Sequence, residues 1–197
     1  VPNCISYDPT FAYELMVILQ DGMKRMFEKQ ENVFYYITTM NENYPHPDLP
    51  KDQEKNIIKG MYLLQESGSG KKRVQLMGSG SILREVIAAG ELLAVDFDIQ
   101  SDIWSCPSFN QLKREGDDVL RWNMLHPELK PRVSHVASCL ENHPGPIVAA
   151  TDYVKLYADQ IRAYTGRKFH ALGTDGFGRS DTRKALRKHF EVDRYYV

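Results

Sequence analysis

Three stretches of this 197-residue chain hold residue types that could do chemistry. The first is Gly78-Ser79-Gly80-Ser81, set between an apolar run and a helical pattern, where backbone N–H groups and a helix dipole can hold a phosphate. Its spacing matches neither the dinucleotide fingerprint nor a P-loop, so a tight strand-to-helix turn is the plainer expectation. The second is His135, Cys139 and His143, one residue every four, a spacing that can line a helix face with metal ligands. Pro144 ends the helix at His143, and no fourth ligand accompanies the three. Two ordinary surface histidines and a packed thiol are therefore expected, with no metal. The third is the loop Gly173 to Asp181. Glycines at 173, 176 and 178 demand special backbone angles there, while Asp175, Arg179 and Asp181 can hydrogen-bond across it and Phe177 can reach an apolar surface. No base or nucleophile sits beside this loop, so it is expected to work as structure or as an interface. Its place after a strand keeps a direct substrate role as the competing expectation.

Other reactive groups are fewer. No Gly-x-Ser-x-Gly elbow occurs, so serine hydrolase chemistry has no anchor. Cys4 and Cys106 follow apolar strand residues and read as small core groups. Arg183, Lys184, Arg187 and Lys188 form a basic helical face, most simply a solvated surface.

Composition narrows the classes. Hydrophobic residues make up 42% and charged residues 26%, the balance of a folded chain. Lys plus Arg is 25 against 26 for Asp plus Glu, which excludes nucleic-acid binding by bulk charge. The longest nearly apolar stretch, Phe11 to Leu19, is interrupted by Glu14 and falls far short of the roughly 20 residues a membrane span needs. Three widely separated cysteines fit a reducing compartment. Val1-Pro2-Asn3-Cys4-Ile5 reads as a strand already under way, and Asp193 as a cap with almost no helix after it. Part of a longer polypeptide is therefore expected.

The elements that would position these residues alternate. Cys4 to Tyr7 reads as a strand, and Asp8 with Pro9 as the start of a helix whose Phe11, Leu15, Ile18, Leu19, Met23 and Met26 share a face. A strand at Val33 to Thr39 completes a strand–helix–strand unit. Prolines in Asn41 to Pro50 mark a boundary. Gly60 to Gln65 and Arg73 to Met77 then flank the polar stretch Glu66 to Lys72, the pattern of a hairpin with a mobile tip. A helix with Leu83, Val86, Ile87 and Ala94 on one stripe follows. Beyond it come a strand at Ile103 to Cys106, helices at Phe109 to Trp122 and Val133 to Leu140, and a strand at Pro146 to Ala150. Thr151 or Asp152 would cap the helix bearing Val154, Tyr157, Ala158 and Ile161. A strand at Phe169 to Leu172 and a helix at Arg183 to Phe190, capped by Ser180 or Asp181, complete the chain. Such alternation predicts a three-layer α/β/α domain with a mostly parallel sheet.

Taken together, Pro2-Asn3-Cys4-Ile5-Ser6-Tyr7-Asp8-Pro9, Tyr36-Ile37-Thr38-Thr39 with Asn41-Glu42-Asn43-Tyr44, Gln75 to Arg84, Arg121-Trp122-Asn123-Met124-Leu125-His126-Pro127 and Gly173 to Asp181 resemble the C-terminal portion of the homodimeric bacterial pyruvate dehydrogenases. These transketolase-like enzymes are the first, decarboxylating component of their complex. The resemblance implies that residues 1–45 end a middle domain that binds the aminopyrimidine of thiamine diphosphate, that 46–55 is a linker, and that 56–197 is a transketolase C-terminal-like domain. It implies thiamine diphosphate and Mg²⁺ in the full-length enzyme, acetyl transfer to lipoyl groups, a homodimer, a dihydrolipoyl acetyltransferase core as partner and a cytoplasmic location, with no membrane. The family's diphosphate-binding Gly-Asp-Gly…Asn motif is missing, and Glu115-Gly116-Asp117-Asp118 does not replace it. No catalytic, cofactor-binding or metal residue is therefore carried over, and this chain alone is expected to be inactive and to bind no cofactor. Asp175, Phe177, Arg179 and Asp181 stand as the structural or interface candidates. The alternative is a stand-alone α/β interaction or regulatory module binding a small anion at Gly78 to Ser81.

Overall fold

A computed structural model describes residues 1–68, 70 and 72–197. Strands β1 (Cys4–Tyr7) and β2 (Phe34–Ile37) pair in parallel, Cys4 opposite Phe34 and Tyr7 opposite Ile37. Between them runs α1 (Ala12–Met23), extended by a wider π turn over Lys24–Glu28. After α2 (Glu54–Lys59) comes a five-stranded sheet of β3 (Tyr62–Gln65), β4 (Arg73–Gly78), β5 (Gln100–Ser105), β6 (Ile147–Ala150) and β7 (Phe169–Leu172), in the spatial order β3-β5-β4-β6-β7. The β5-β4-β6-β7 pairs are parallel, and β3 runs antiparallel along β5. Helices α3 (Leu83–Phe97), α4 (Phe109–Leu125), α5 (His135–Leu140), α6 (Lys155–Asp159) and α7 (Arg183–His189) connect or follow these strands.

Strand alternation builds two cores. Val74, Leu76, Ile103, Ala150 and Leu172 turn to one face and pack with Leu83 and Val86 of α3 and with Ile5, Tyr7 and Ile18 of the β1–α1–β2 unit. Met77, Trp104, Ile147, Ala149 and Phe169 turn to the other and meet Phe109 and Leu112 of α4, Val136 and Leu140 of α5 and Ala158 of α6. Helices on both faces of a mostly parallel sheet make the expected three layers.

Several local expectations fail for identifiable reasons. β3 and β4 are not a hairpin, because β5 lies between them and hydrogen-bonds to both. Ser69 and Lys71 of the expected tip lie outside the described residues. Asp8 does not cap α1, which begins after Phe11; Glu14 does so instead, accepting the N–H groups of Thr10 at 2.5 Å and Phe11 at 2.9 Å. The buried face of α1 is Tyr13, Glu14, Ile18 and Gly22, whereas Leu19 and Met23 are exposed. That helix is apolar on more than one side, so periodicity alone did not select the inner one. Ala94 likewise points to solvent. Neither Thr151 nor Asp152 caps α6, whose first position receives Asp175 Oδ1 from a distant loop. Thr182, and not Ser180 or Asp181, caps α7 by accepting the N–H of Ala185.

Candidate functional site

The carboxyl ends of β4, β6, β7 and β2 converge, and the chain order reverses at β4, whose neighbours β5 and β6 lie on opposite sides of it. Crevices at such reversals are where open α/β sheets bind ligands. The Gly78 to Ser81 turn lies here and leads through a 3₁₀ turn (Gly80–Ile82) into α3. This place is taken. The Asp8 carboxylate, 7% exposed, accepts the hydroxyls of Ser79 at 2.8 Å and Thr38 at 2.6 Å. Asp8 also uses its carbonyl, which accepts the Gly80 N–H at 3.0 Å. Gly80 stands at φ +48, and a Cβ there would lie 2.4 Å from both Asp8 carboxylate oxygens. Burial pushes the Asp8 carboxyl above the ordinary range, against the pull of the Thr38 and Ser79 hydroxyls. With the Asp8 carboxyl and carbonyl both packed into this turn, the alternative of a small-anion module at Gly78 to Ser81 gains no support. For the same reason the turn does not fit a diphosphate.

Beside the plugged turn opens a cavity of about 500 Å³, lined by Thr39, Asn41, Ser81, Asp152, Thr174 and Arg179 among others. Its far wall is α7. Glu42 gathers the guanidinium groups of Arg84 at 2.9 Å and Arg187 at 3.4 Å, with Arg183 at 4.0 Å. Glu85 takes Arg187 at 3.1 Å and Arg194 at 2.9 Å. Burial alone would raise the Glu85 carboxyl, but Arg194 and Arg187 hold it below the usual range. The basic face of α7 is therefore only half a solvated surface: Lys184 and Lys188 are exposed, while Arg183 and Arg187 tie the helix to Glu42.

The Gly173 to Asp181 loop is fixed at its base and open at its tip. Thr174 donates its N–H to the Tyr153 carbonyl at 2.8 Å, and Asp175 Oδ1 accepts the Lys155 N–H at 2.9 Å. Asp181 Oδ1 accepts the N–H of Thr182 at 2.6 Å. Asp175 and Asp181 thus reach the flanking helices and not each other. Phe177 is 93% exposed, so the apolar surface expected for it is not supplied by this chain. Arg179 is exposed and faces the cavity.

His135, Cys139 and His143 do not converge on a metal. His135 is buried, with Nε2 2.9 Å from the Met61 carbonyl oxygen, and Cys139 packs against it. Burial lowers the His135 imidazole and raises the Cys139 thiol to about 11. His143 turns away to Asp102, with Nδ1 3.0 Å from Oδ2. These are not the ordinary surface histidines expected. Among the described residues no cluster of three or more His, Cys, Asp or Glu is placed to hold a metal. Cys106 is fully buried and Cys4 half-buried, as core groups.

Two polar centres escaped the sequence reading. Glu14 is fully buried and also accepts hydroxyls from Tyr62 at 2.6 Å and Ser105 at 2.5 Å, joining α1 to β3 and β5. Asp102, equally buried, accepts Ser67 N–H and Oγ–H, Arg73 and Gln75 at 2.8–2.9 Å. Burial opposes its charge, yet hydrogen bonds with the Ser67 N–H, Gln75, the Ser67 hydroxyl and His143 hold its carboxyl well below the ordinary range. The apolar run around Glu14 and the Ile103 beside Asp102 were the available signals.

Residues 60–193 match the family described as the transketolase-like C-terminal domain, and residues 1–47 match the pyruvate dehydrogenase E1 component middle domain. The chain belongs to the transketolase-like family. Along its whole length this transketolase-like chain is 58% identical to the pyruvate dehydrogenase E1 component of Cupriavidus necator, 57% to that of Pseudomonas aeruginosa and 55% to that of Escherichia coli. It spans only 22–23% of these curated relatives. Transketolase from Campylobacter jejuni superimposes with a TM-score of 0.63 at 15% identity, over 98% of this chain and 25% of that one. A split-gene transketolase described as an inactive beta4 tetramer gives 0.59 at 13% identity, over 100% of this chain and 56% of that one. These likenesses establish the fold.

Proposed function

We propose that this chain is the C-terminal part of a pyruvate dehydrogenase, an oxidoreductase that decarboxylates pyruvate with thiamine diphosphate and Mg²⁺ and passes acetyl to lipoyl groups. The observation that carries the reading is 58% identity, sustained over the entire chain, to a protein of that name. Residues 1–45 are the end of the middle domain, 46–55 a linker and 56–197 the transketolase C-terminal-like domain. The chain's share of the work is scaffold and subunit surface. Its strand-end turn is closed by Asp8, which supports a cofactor held elsewhere in the longer polypeptide. On this reading the chain alone is inactive and binds no cofactor. The whole enzyme is a cytoplasmic homodimer on a dihydrolipoyl acetyltransferase core.

Phe177 and Arg179 fit a subunit contact. A fully exposed aromatic and an exposed arginine stand on a loop whose base Asp175 and Asp181 hold in place, and such pairs anchor interfaces. The test is Arg179→Ala in the full-length enzyme. Weaker dimerisation in sedimentation, with turnover per intact dimer nearly unchanged, supports the interface role. Intact dimers whose turnover falls about a hundredfold, equivalent to roughly 2.7 kcal/mol of transition-state stabilisation, would assign Arg179 to the reaction instead.

A further inference from the structure

Helix α1 is apolar on a side that none of the described residues covers. Met16, Leu19 and Met23 of the helix and Phe27 of the π turn beyond it recur at three- and four-residue steps. They therefore form one row about 16 Å long. Met16 is 70% exposed, Leu19 47%, Met23 59% and Phe27 75%. The acidic residues of α1 lie elsewhere: Glu14 is buried, and Asp21 accepts the Tyr35 hydroxyl at 2.8 Å. Other sides of the helix are occupied, by Tyr62 and Ser105 at Glu14, by the Tyr35 ring at Gly22, and by α2. A continuous apolar row at this spacing is what a second helix packs against. The sheet beneath is equally unfinished. β1 and β2 pair only with each other, and Phe34 and Tyr36, which alternate with the Tyr35 that meets α1, are exposed. Parallel strands are normally covered on both faces, and two strands alone are too few to be stable.

We propose that β1–α1–β2 closes a larger parallel sheet of the same polypeptide, and that the outer row of α1 seats a crossover helix from the remainder of that domain. The inference rests on the reading of residues 1–45 as the end of a middle domain. Residues 1–47 match a middle-domain family, and the chain spans only 22–23% of its curated relatives, which hold sequence enough for further strands and helices. A crossover unit brings a strand and a helix together. One such unit pairs an open edge of the β1–β2 sheet and lays its helix beside α1, so it satisfies both features at once. A second copy of the chain docked on Met16 to Phe27 covers the row but leaves the strand edges unpaired.

The test is photo-cross-linking in the full-length protein, with Phe27→p-benzoylphenylalanine in one variant and Met16→p-benzoylphenylalanine in another. The expected product migrates at monomer mass on a denaturing gel and yields, after digestion, a peptide of the row linked to sequence preceding Val1. A product at dimer mass assigns the row to a second copy and overturns the proposal. A link only to residues within 1–197, or no link, overturns it too. Where neither variant folds, peroxide oxidation of the wild type decides. Met16 and Met23 should then gain oxygen about tenfold more slowly than in urea, as the buried Met61 and Met77 do, because oxidation follows exposure. Equal rates in the folded and unfolded protein overturn the proposal. Cross-linking is read without turnover, so it stands apart from the functional reading beneath it. That reading fails if the unmodified full-length protein releases no CO₂ from pyruvate.

Discussion

Glu14→Ala tests whether the buried carboxylate is the bolt between α1 and the five-stranded sheet. The substitution orphans four donors: the N–H groups of Thr10 and Phe11 and the hydroxyls of Tyr62 and Ser105. Tyr62 keeps its 2.6 Å contact with Tyr13, and Ser105 can rotate, but the backbone groups cannot. An unpaired buried N–H costs about 1–3 kcal/mol, so two of them and the emptied volume should cost about 4 kcal/mol. Urea unfolding measures this directly. A loss below about 1 kcal/mol would refute the assignment, because at least one stranded donor would then have to be costless. Glu14→Gln separates charge from shape. Its amide oxygen can face the two N–H groups and its amide nitrogen the two hydroxyls, so the bonds survive. Burial raises the Glu14 carboxyl, so the folded state holds its proton more tightly than the unfolded state. The stabilisation is complete below the ordinary carboxylate range of about 4 and falls as pH rises toward the folded value. Glutamine has no such fall. The stability difference should therefore move in favour of the Glu14→Gln variant between about pH 4 and pH 7, and a move toward the wild type would contradict the burial argument.

Asp102 should behave with the opposite sign. Its lowered carboxyl contributes stability above the ordinary range that is lost as pH falls below about 4, so Asp102→Asn should flatten the acid limb of a stability–pH curve. Gly145 stands at φ +113, and a Cβ would lie 2.2 Å from the Arg73 carbonyl oxygen, so Gly145→Ala should cost about 3 kcal/mol in thermal unfolding.

The sheet was legible where its cause is local. β4, β6 and β7 are short apolar runs followed by small or capping residues, and their alternation with helices points to parallel pairing. β3 was misplaced because its partner is chosen by β5, whose Trp104 and Ser105 lie about forty residues away and pair with Leu63 and Tyr62. Asp8-Pro9 looks like a helix start in any window, yet the Asp8 side chain is spent on Ser79, 71 residues on. Glu14 in a first turn reads as a dipole-matched surface acid. Only its position in the Phe11 to Leu19 run hinted at burial, and only the fold supplies the two hydroxyls that satisfy it. The loop candidates show the same division. The glycines announce a special loop, but which helix Asp175 caps depends on β7 lying beside β6.

The central claim is that this chain is scaffold within a longer pyruvate-decarboxylating enzyme. Its most direct test is release of CO₂ from carboxyl-labelled pyruvate with added thiamine diphosphate and Mg²⁺, run in parallel on the full-length gene product and on the 197-residue chain. The account predicts cofactor-dependent CO₂ from the full-length protein and none above background from the chain. Release by the isolated chain, or none from a folded full-length protein loaded with cofactor, would contradict it.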